Sequence, residues 1–226
     1  MAARVRRVVL TIVAIGTMTA CAAGGAARGE GPATLSAAEM EEIYLARLDS
    51  ARMRFTEADV RFMTRMIHHH AQAIEMAELV PERTANAQIR TLAGRIINAQ
   101  NDEMTIMRRW LEDRRQPVPP SPTEMAAHAA MGHGTAHPMD MPGMATPAQL
   151  QALRDARGTA FDRLFLTLMI DHHKGAVTMV HELFATDGAG QDEEVFKFAS
   201  DAQVDQGTEV ARMEAMLEAL PGGPAG

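Results

Sequence analysis

The sequence predicts an all-α protein built around a four-helix bundle, and three observations carry that expectation. Apolar residues recur at three-and-four spacing through most of the chain, with no useful run of β-branched residues alternating with polar ones. Capping boxes and Pro or Gly breaks cut this pattern into separate helices. Two helical hairpins also repeat one another about a hundred residues apart, and two such hairpins bury their stripes most simply against each other.

The N-terminus reads as an export signal. Arg4, Arg6 and Arg7 precede the apolar run "VVLTIVAIGTMTA", which ends at Cys21; that is the layout of a secretory signal peptide over residues 1–20. The run is roughly 15 residues, short of the ~20 that span a bilayer. The small residues Thr19 and Ala20 before the lone cysteine look like a lipobox, although Met18 stands where Leu is usual. Cys21 is therefore the expected lipidation site and mature N-terminus, holding the protein to a membrane in the bacterial envelope, facing the periplasm or the cell exterior. Residues 21–35, rich in Gly and Ala, read as a flexible tether.

With Cys21 carrying lipid, the mature chain has no thiol, which excludes disulfides and thiolate metal sites. The formal net charge of −7 becomes more negative when the leader arginines are removed. No basic stripe or aromatic platform accompanies it, which argues against nucleic acid as a partner.

Helices are expected at 37–53, 57–80, 84–114, 147–157, 159–185 and 191–219. "SAAE" (Ser36–Glu39) and "TPAQ" (Thr146–Gln149) are capping boxes, the second with Pro147 at the first helical position, and "TEAD" (Thr56–Asp59) is a weaker version. Pro81 stops the second helix, "QPVPPSP" the third, Gly158 interrupts after "RDAR", and "TDGAG" closes the fifth. The bundle domain then covers 36–220: repeat 1 at about 57–115, a connector at 116–146 expected to cross over one end of the bundle, and repeat 2 at about 159–219. The helices at 37–53 and 147–157 are expected to pack outside it.

The repeat is detailed. A shift of 103 residues places Asp59, Phe62, Met66, His69, His70, Ala73 and Met76 on Asp162, Phe165, Met169, His172, His173, Ala176 and Met179. A shift of 106 places Gln100, Glu103, Met107 and Leu111 on Gln206, Glu209, Met213 and Leu217.

Chemistry concentrates in these repeats. The inward stripe of the first His helix is Phe62, Met66, His69, Ala73, Met76 and Val80, so His69 faces the core and His70 lies at its edge. A buried imidazole without a partner costs about 1–3 kcal/mol, so four of them need protein groups or a metal. Gln100, Glu103, Gln206 and Glu209 could supply hydrogen bonds, and methionines at helical spacing often do no more than pack. Against that plain reading, the pattern occurs twice and the chain holds 18 Met. Five of these stand with three histidines in a connector that has almost no other hydrophobe: Met125, His128, Met131, His133, His137, Met139, Met141 and Met144.

Thioether and imidazole without thiolate favour copper, Cu(I) first, with imidazole also suiting Cu(II). Zinc ranks second, since it prefers Cys or carboxylate beside His. A ferritin-like di-iron site needs Glu-x-x-His, and the positions three after Glu103 and Glu209 hold Ile106 and Arg212. Met66 and Met76 lie about 15 Å apart along the helix axis, too far to share an ion. Met66 can chelate with His69 or His70, and Met169 with His172 or His173. Met76 and Met179 need partners from other helices, for which Met107 and Met213 are candidates. His68 and Asp171, at equivalent places, read as flanking groups, and His181 as a solvated residue.

The stretches "MIHHHAQAIEMA", "AQNDEMTIMRRWL" and "MPGMATPAQLQALRDARGTAFDRLFLTLMIDHHKGAVTMV" resemble the bacterial family catalogued as domain of unknown function 305, over nearly all of Ser50–Leu220. The resemblance implies a ferritin-like bundle. It also implies a role like that of the family's CopM-type envelope proteins, which bind copper and protect against it, with characteristic residues falling on Met66, His69, His70, Met76, Met169, His172, His173 and Met179. The expected function is an envelope lipoprotein that binds copper for buffering, resistance or transfer to other copper-handling envelope proteins. Two rivals stay open: a metal-free or zinc-binding adaptor with a hydrogen-bonded His core, and a copper-dependent redox enzyme.

Overall fold

The structure is a computed structural model that describes residues 35–52, 54–120 and 141–221. The expected signal peptide, Cys21, most of the tether, and Met125, His128, Met131, His133, His137 and Met139 of the connector lie outside the described residues. The chain divides into two compact units, residues 1–41 and 42–226, and every helix after the first lies in the second.

In chain order the helices are α1 (Ala37–Arg52), α2 (Glu57–Glu78), α3 (Val80–Arg83), α4 (Ala87–Asp113), α5 (Pro147–Asp155), α6 (Gly158–Phe184) and α7 (Glu193–Ala219). The described residues contain no strand. All three capping boxes form. Ser36 and Glu39, Thr56 and Asp59, and Thr146 and Gln149 each exchange side-chain bonds with the partner's backbone N–H, satisfying donors the first turn leaves open.

Pro81 does not simply stop α2. The helix yields at Leu79, and Pro81 enters the first turn of the short α3, where its missing N–H costs nothing. The next helix then starts at Ala87 instead of 84, because Asn86 caps it by accepting from the N–H groups of Gln88 and Ile89. In α1, Met40, Ile43, Tyr44 and Leu45 form an exposed apolar stripe. Arg47 falls on the same helical face and interrupts it.

The four long helices form the bundle. α4 folds back on α2, α7 folds back on α6, and α2 packs against α6. The α2–α6 pair runs antiparallel, since Arg65 meets Glu182 while His69 meets His172. Reciprocal ties express the internal duplication: Asp59 accepts from the Gly190 N–H in the α6–α7 loop at 2.7 Å, and its counterpart Asp162 accepts from the Asn86 side chain in the α2–α4 connection at 3.2 Å.

The core lies in two apolar halves separated by a polar layer. One half holds Phe62, Met66, Met104, Met107, Trp110, Met179 and Phe198, and the other Met76, Leu92, Ile96, Phe161, Phe165, Met169 and Met213. Full burial of each such side chain contributes about 1.5–3 kcal/mol. Each long helix passes from one half to the other near the level of His69, Gln100, His172 or Gln206, all buried.

One end is locked by a buried ion pair. Asp192, the cap of α7, accepts from Arg114 at 2.6 Å and from the Trp110 indole N–H at 3.0 Å, and the Arg114 guanidinium lies 4.5 Å over the Trp110 ring. Both charged side chains are buried, so removing one partner strands the other. Asp192→Ala is expected to lower the unfolding free energy by about 3–5 kcal/mol, read as a lower urea midpoint. An unchanged midpoint would show that this cluster does not hold the end of the bundle.

Candidate metal centre

The polar layer is where the two hairpins meet. His69 and His172 project from the contact face of α2 and α6, and their rings lie 3.8 Å apart between centroids, tilted by 36°. His70 and His173 point instead toward the partner helix of their own hairpin. The Nε2 of His70 meets Glu103 of α4 at 2.5 Å, and the Nε2 of His173 meets Glu209 of α7 at 2.7 Å.

All four imidazoles are fully buried. For His70 this corrects the expected place at the edge of the core: α4 packs over it, and Glu103 covers the ring. Because an ionised carboxylate only accepts, Nε2 carries the hydrogen in both His–Glu pairs. Nδ1 is then turned into the protein.

His69 is held differently. Its Nε2–H donates to the carbonyl oxygen of Pro142, in the last turn of the connector, at 3.0 Å. His172 makes no hydrogen bond of good geometry, although the His69 backbone lies near enough to favour its charged form. The ring nitrogens left without hydrogen-bond partners are Nδ1 of His69, His70 and His173 and both nitrogens of His172; Oε1 of the buried Gln100 and Gln206 is orphaned too. The two glutamates thus take the hydrogen-bonding role considered for them, while these glutamine oxygens do not.

Burial governs the charge of the central pair. It pushes His69 down to about 3, with the nearby His70 acting in the same direction and the Pro142 carbonyl opposing. It holds His172 well below the usual histidine range, with His69 adding to the effect. Both rings are neutral at ordinary pH.

The predicted methionines fall in the two apolar halves of the core, in two related groups. Met66 and Met107 of the first hairpin share a core half with Met179 of the second. Met169 and Met213 of the second share the other half with Met76 of the first. The first group is enlarged by Met63, Met104 and Met141.

Among the described residues no three His, Cys, Asp or Glu side chains converge so as to hold an ion. A site here must draw on thioether sulfur or glutamine oxygen as well as imidazole. Neutral rings, orphaned ring nitrogens and buried thioethers form a donor set that fits a soft ion such as Cu(I).

The remaining predicted residues are spread more widely. His68 is half-buried on α2, Asp171 is exposed beside the connector, and His181 is exposed with Gln203 at 3.2 Å from its ring. Met144 is half-buried and lines a cleft of about 410 Å³ together with Asp171. Met141 is buried within the core.

Residues 142–145 lie across the middle of α2 and α6, and the stretch expected to cross one end of the bundle falls largely outside the described residues. Gln72 grips Ala145 with two hydrogen bonds, donating to its carbonyl at 3.0 Å and accepting from its N–H at 2.7 Å. A Cβ on Gly175 would overlap the Pro142 carbonyl, and one on Gly143, at φ +76°, would overlap the Asp171 carbonyl. Sequence reasoning missed Gln72, Pro142, Gly143 and Gly175; a glycine inside a strongly periodic helix was the available signal.

Residues 59–217 match the family model of the domain of unknown function 305, DUF305. The chain belongs to the DUF305 family. Its bundle is similar to a DUF305 fragment from Deinococcus radiodurans, at 31% identity and a TM-score of 0.58 over 74% of this chain and 99% of that one. It is similar to a DUF305 protein from Streptomyces coelicolor at 31% identity and a TM-score of 0.57, covering 71% and 91%. CopM in its Cu(I)-bound form also matches, at 27% identity and a TM-score of 0.53, covering 71% and 95%. No match was found among curated proteins.

The buried rings of this DUF305 protein make acid destabilising. With folded pKa values below the unfolded value near 6.5, His69 and His172 bind fewer protons folded than unfolded. Their contribution to stability is present above pH 6.5 and is lost as pH falls from there toward about 3. The urea midpoint of the metal-free protein should drop between pH 7 and pH 5, and His172→Phe should flatten that slope. A variant as pH-sensitive as the parent would contradict this.

Proposed function

We propose that this DUF305 protein is an exported copper-binding protein that holds the ion, mainly as Cu(I), between its two hairpins for buffering, resistance or transfer. The observation that carries this reading is the set of orphaned ring nitrogens on His69, His70, His172 and His173. Leaving a buried polar group unpaired costs about 1–3 kcal/mol each, and a bound soft ion would satisfy several at once. CopM, a structural neighbour, is known in Cu(I)-, Cu(II)- and Ag-bound forms as well as an apo form, which supports the same choice of ion.

In this reading His69, His70, His172 and His173 supply imidazole nitrogen. Sulfur comes from Met66, Met107 and Met179 on one side of the layer or from Met76, Met169 and Met213 on the other, since the two groups lie too far apart to serve one ion. Glu103 and Glu209 orient His70 and His173 through Nε2, as carboxylates commonly orient metal-binding histidines. Gln100 and Gln206 place further acceptor oxygens in the layer. The ion is cargo: imidazole and thioether are neutral, so Cu(I) enters and leaves without deprotonating a ligand, unlike a thiolate site.

The N-terminal pattern supports export, and the Streptomyces coelicolor relative is a candidate secreted protein. Lipidation at Cys21 would keep the protein at the envelope membrane. No helix among the described residues is long and apolar enough to cross a membrane.

Anaerobic competition with a chromophoric Cu(I) chelator tests the reading. The mature protein should withdraw Cu(I) from the chelator, and His172→Leu should abolish this while leaving helical circular dichroism intact. Glu103→Gln and Glu209→Gln should each weaken retention by roughly 10–100-fold. A wild-type protein that leaves all Cu(I) with the chelator removes the copper reading. Tight zinc retention under the same conditions would favour the zinc-binding adaptor.

A further inference from the structure

The duplicated hairpins would give His69 and His172 identical surroundings if nothing else touched them. The connector occurs once, however, and its end lies on one side of the pair. Residues Met141–Ala145 form a strap across α2 and α6, buried at Met141 and at Ala145. Two features fix its position. Gln72 pairs with both the N–H and the carbonyl of Ala145, and Gly175, which occupies the place of Gln72 in the second repeat, leaves room for the Pro142 carbonyl to lie against α6. That carbonyl reaches the Nε2 of His69 at 3.0 Å, while the His172 ring nitrogens have no hydrogen-bond partner.

We propose that the Met141–Ala145 strap is a positioning element of the centre: its Pro142 carbonyl holds His69 as the Nε2–H tautomer and so makes Nδ1 the nitrogen that binds the ion. A carbonyl oxygen can only accept, so the ring nitrogen facing it must carry the hydrogen. In a neutral imidazole the other nitrogen then bears the lone pair. His69 becomes the pre-set donor of the central pair, and His172 the donor that adapts its tautomer when an ion arrives. A strap residue that touches no ion thereby controls retention through His69. The consequence for ion binding rests on the copper reading; the tautomer itself does not.

Gly175→Ala is the direct test, because its Cβ would push the Pro142 carbonyl from His69. Gln72→Leu loosens the same strap from the α2 side and serves where Gly175→Ala does not fold. Gly94→Ala is the control, since a Cβ there meets nothing within 4 Å. Long-range ¹H–¹⁵N NMR of the metal-free proteins reads the ring tautomer, and Cu(I) competition reads retention.

Wild type and Gly94→Ala should show His69 as a single Nε2–H tautomer. The folded strap variant should show a mixture of tautomers and Cu(I) retention weakened by roughly 10–100-fold. Wild-type His69 protonated on Nδ1, or a folded strap variant with unchanged tautomer and retention, overturns the proposal. A wild type that holds no Cu(I), but whose His69 tautomer answers to the strap variant, removes the copper reading and leaves the strap's control of the ring standing.

Discussion

Four imidazoles buried in the middle of an apolar bundle are the constraint on which the rest of this structure depends. A stack of Leu or Phe at that level would need no partners and cost nothing in desolvation. Here His69, His70, His172 and His173 are withdrawn from water, and the surrounding protein supplies three hydrogen bonds for eight ring nitrogens: two to glutamates and one to a backbone carbonyl. Such a layer lowers the stability of the metal-free fold, and in the proposed function it supplies the donors for an ion. The apolar halves on either side, each rich in large buried side chains, offset that cost.

Duplication explains how one short pattern builds the layer. Each hairpin contributes a central ring and a ring tied to its own partner helix, and the antiparallel crossing of α2 and α6 brings the two central rings together. The loop ties of Asp59 and Asp162 fix that crossing from both ends. The connector then breaks the symmetry, restraining His69 but leaving the His172 ring nitrogens without partners. Sulfur is distributed unequally as well, with Met63, Met104 and Met141 added to one core half alone. The two central histidines and the two methionine groups are therefore related in origin without being equivalent in surroundings.

The choice of donors suits a chain expected to work outside the cytoplasm. Thioether and imidazole form no disulfides and remain neutral, so a site made from them keeps its ligands in an oxidising compartment where a thiolate pair would be at risk. The buried Arg114–Asp192 pair beside Trp110 shows that the fold can satisfy a buried charge when it has the partners to do so. The orphaned nitrogens of the central layer differ from it in lacking such partners.

Much of this was written in local patterns. The helix starts at Thr56 and Thr146, the repeat at a shift of 103, and the inward stripe Phe62, Met66, His69, Ala73 and Met76 all follow from period and capping chemistry, which act over a few residues. The same spacing showed that Met66 and Met76 cannot share an ion. It placed His70 at the edge of the core, because helical phase alone does not reveal a second helix covering it with Glu103. Only the tertiary structure decided that the connector's end lies across the middle of the bundle, that Gln72 grips Ala145, and that Gly175 admits the Pro142 carbonyl beside His69. Those contacts either join residues 73 positions apart through backbone atoms that every residue type carries or depend on an absent side chain, so composition and periodicity leave almost no trace of them.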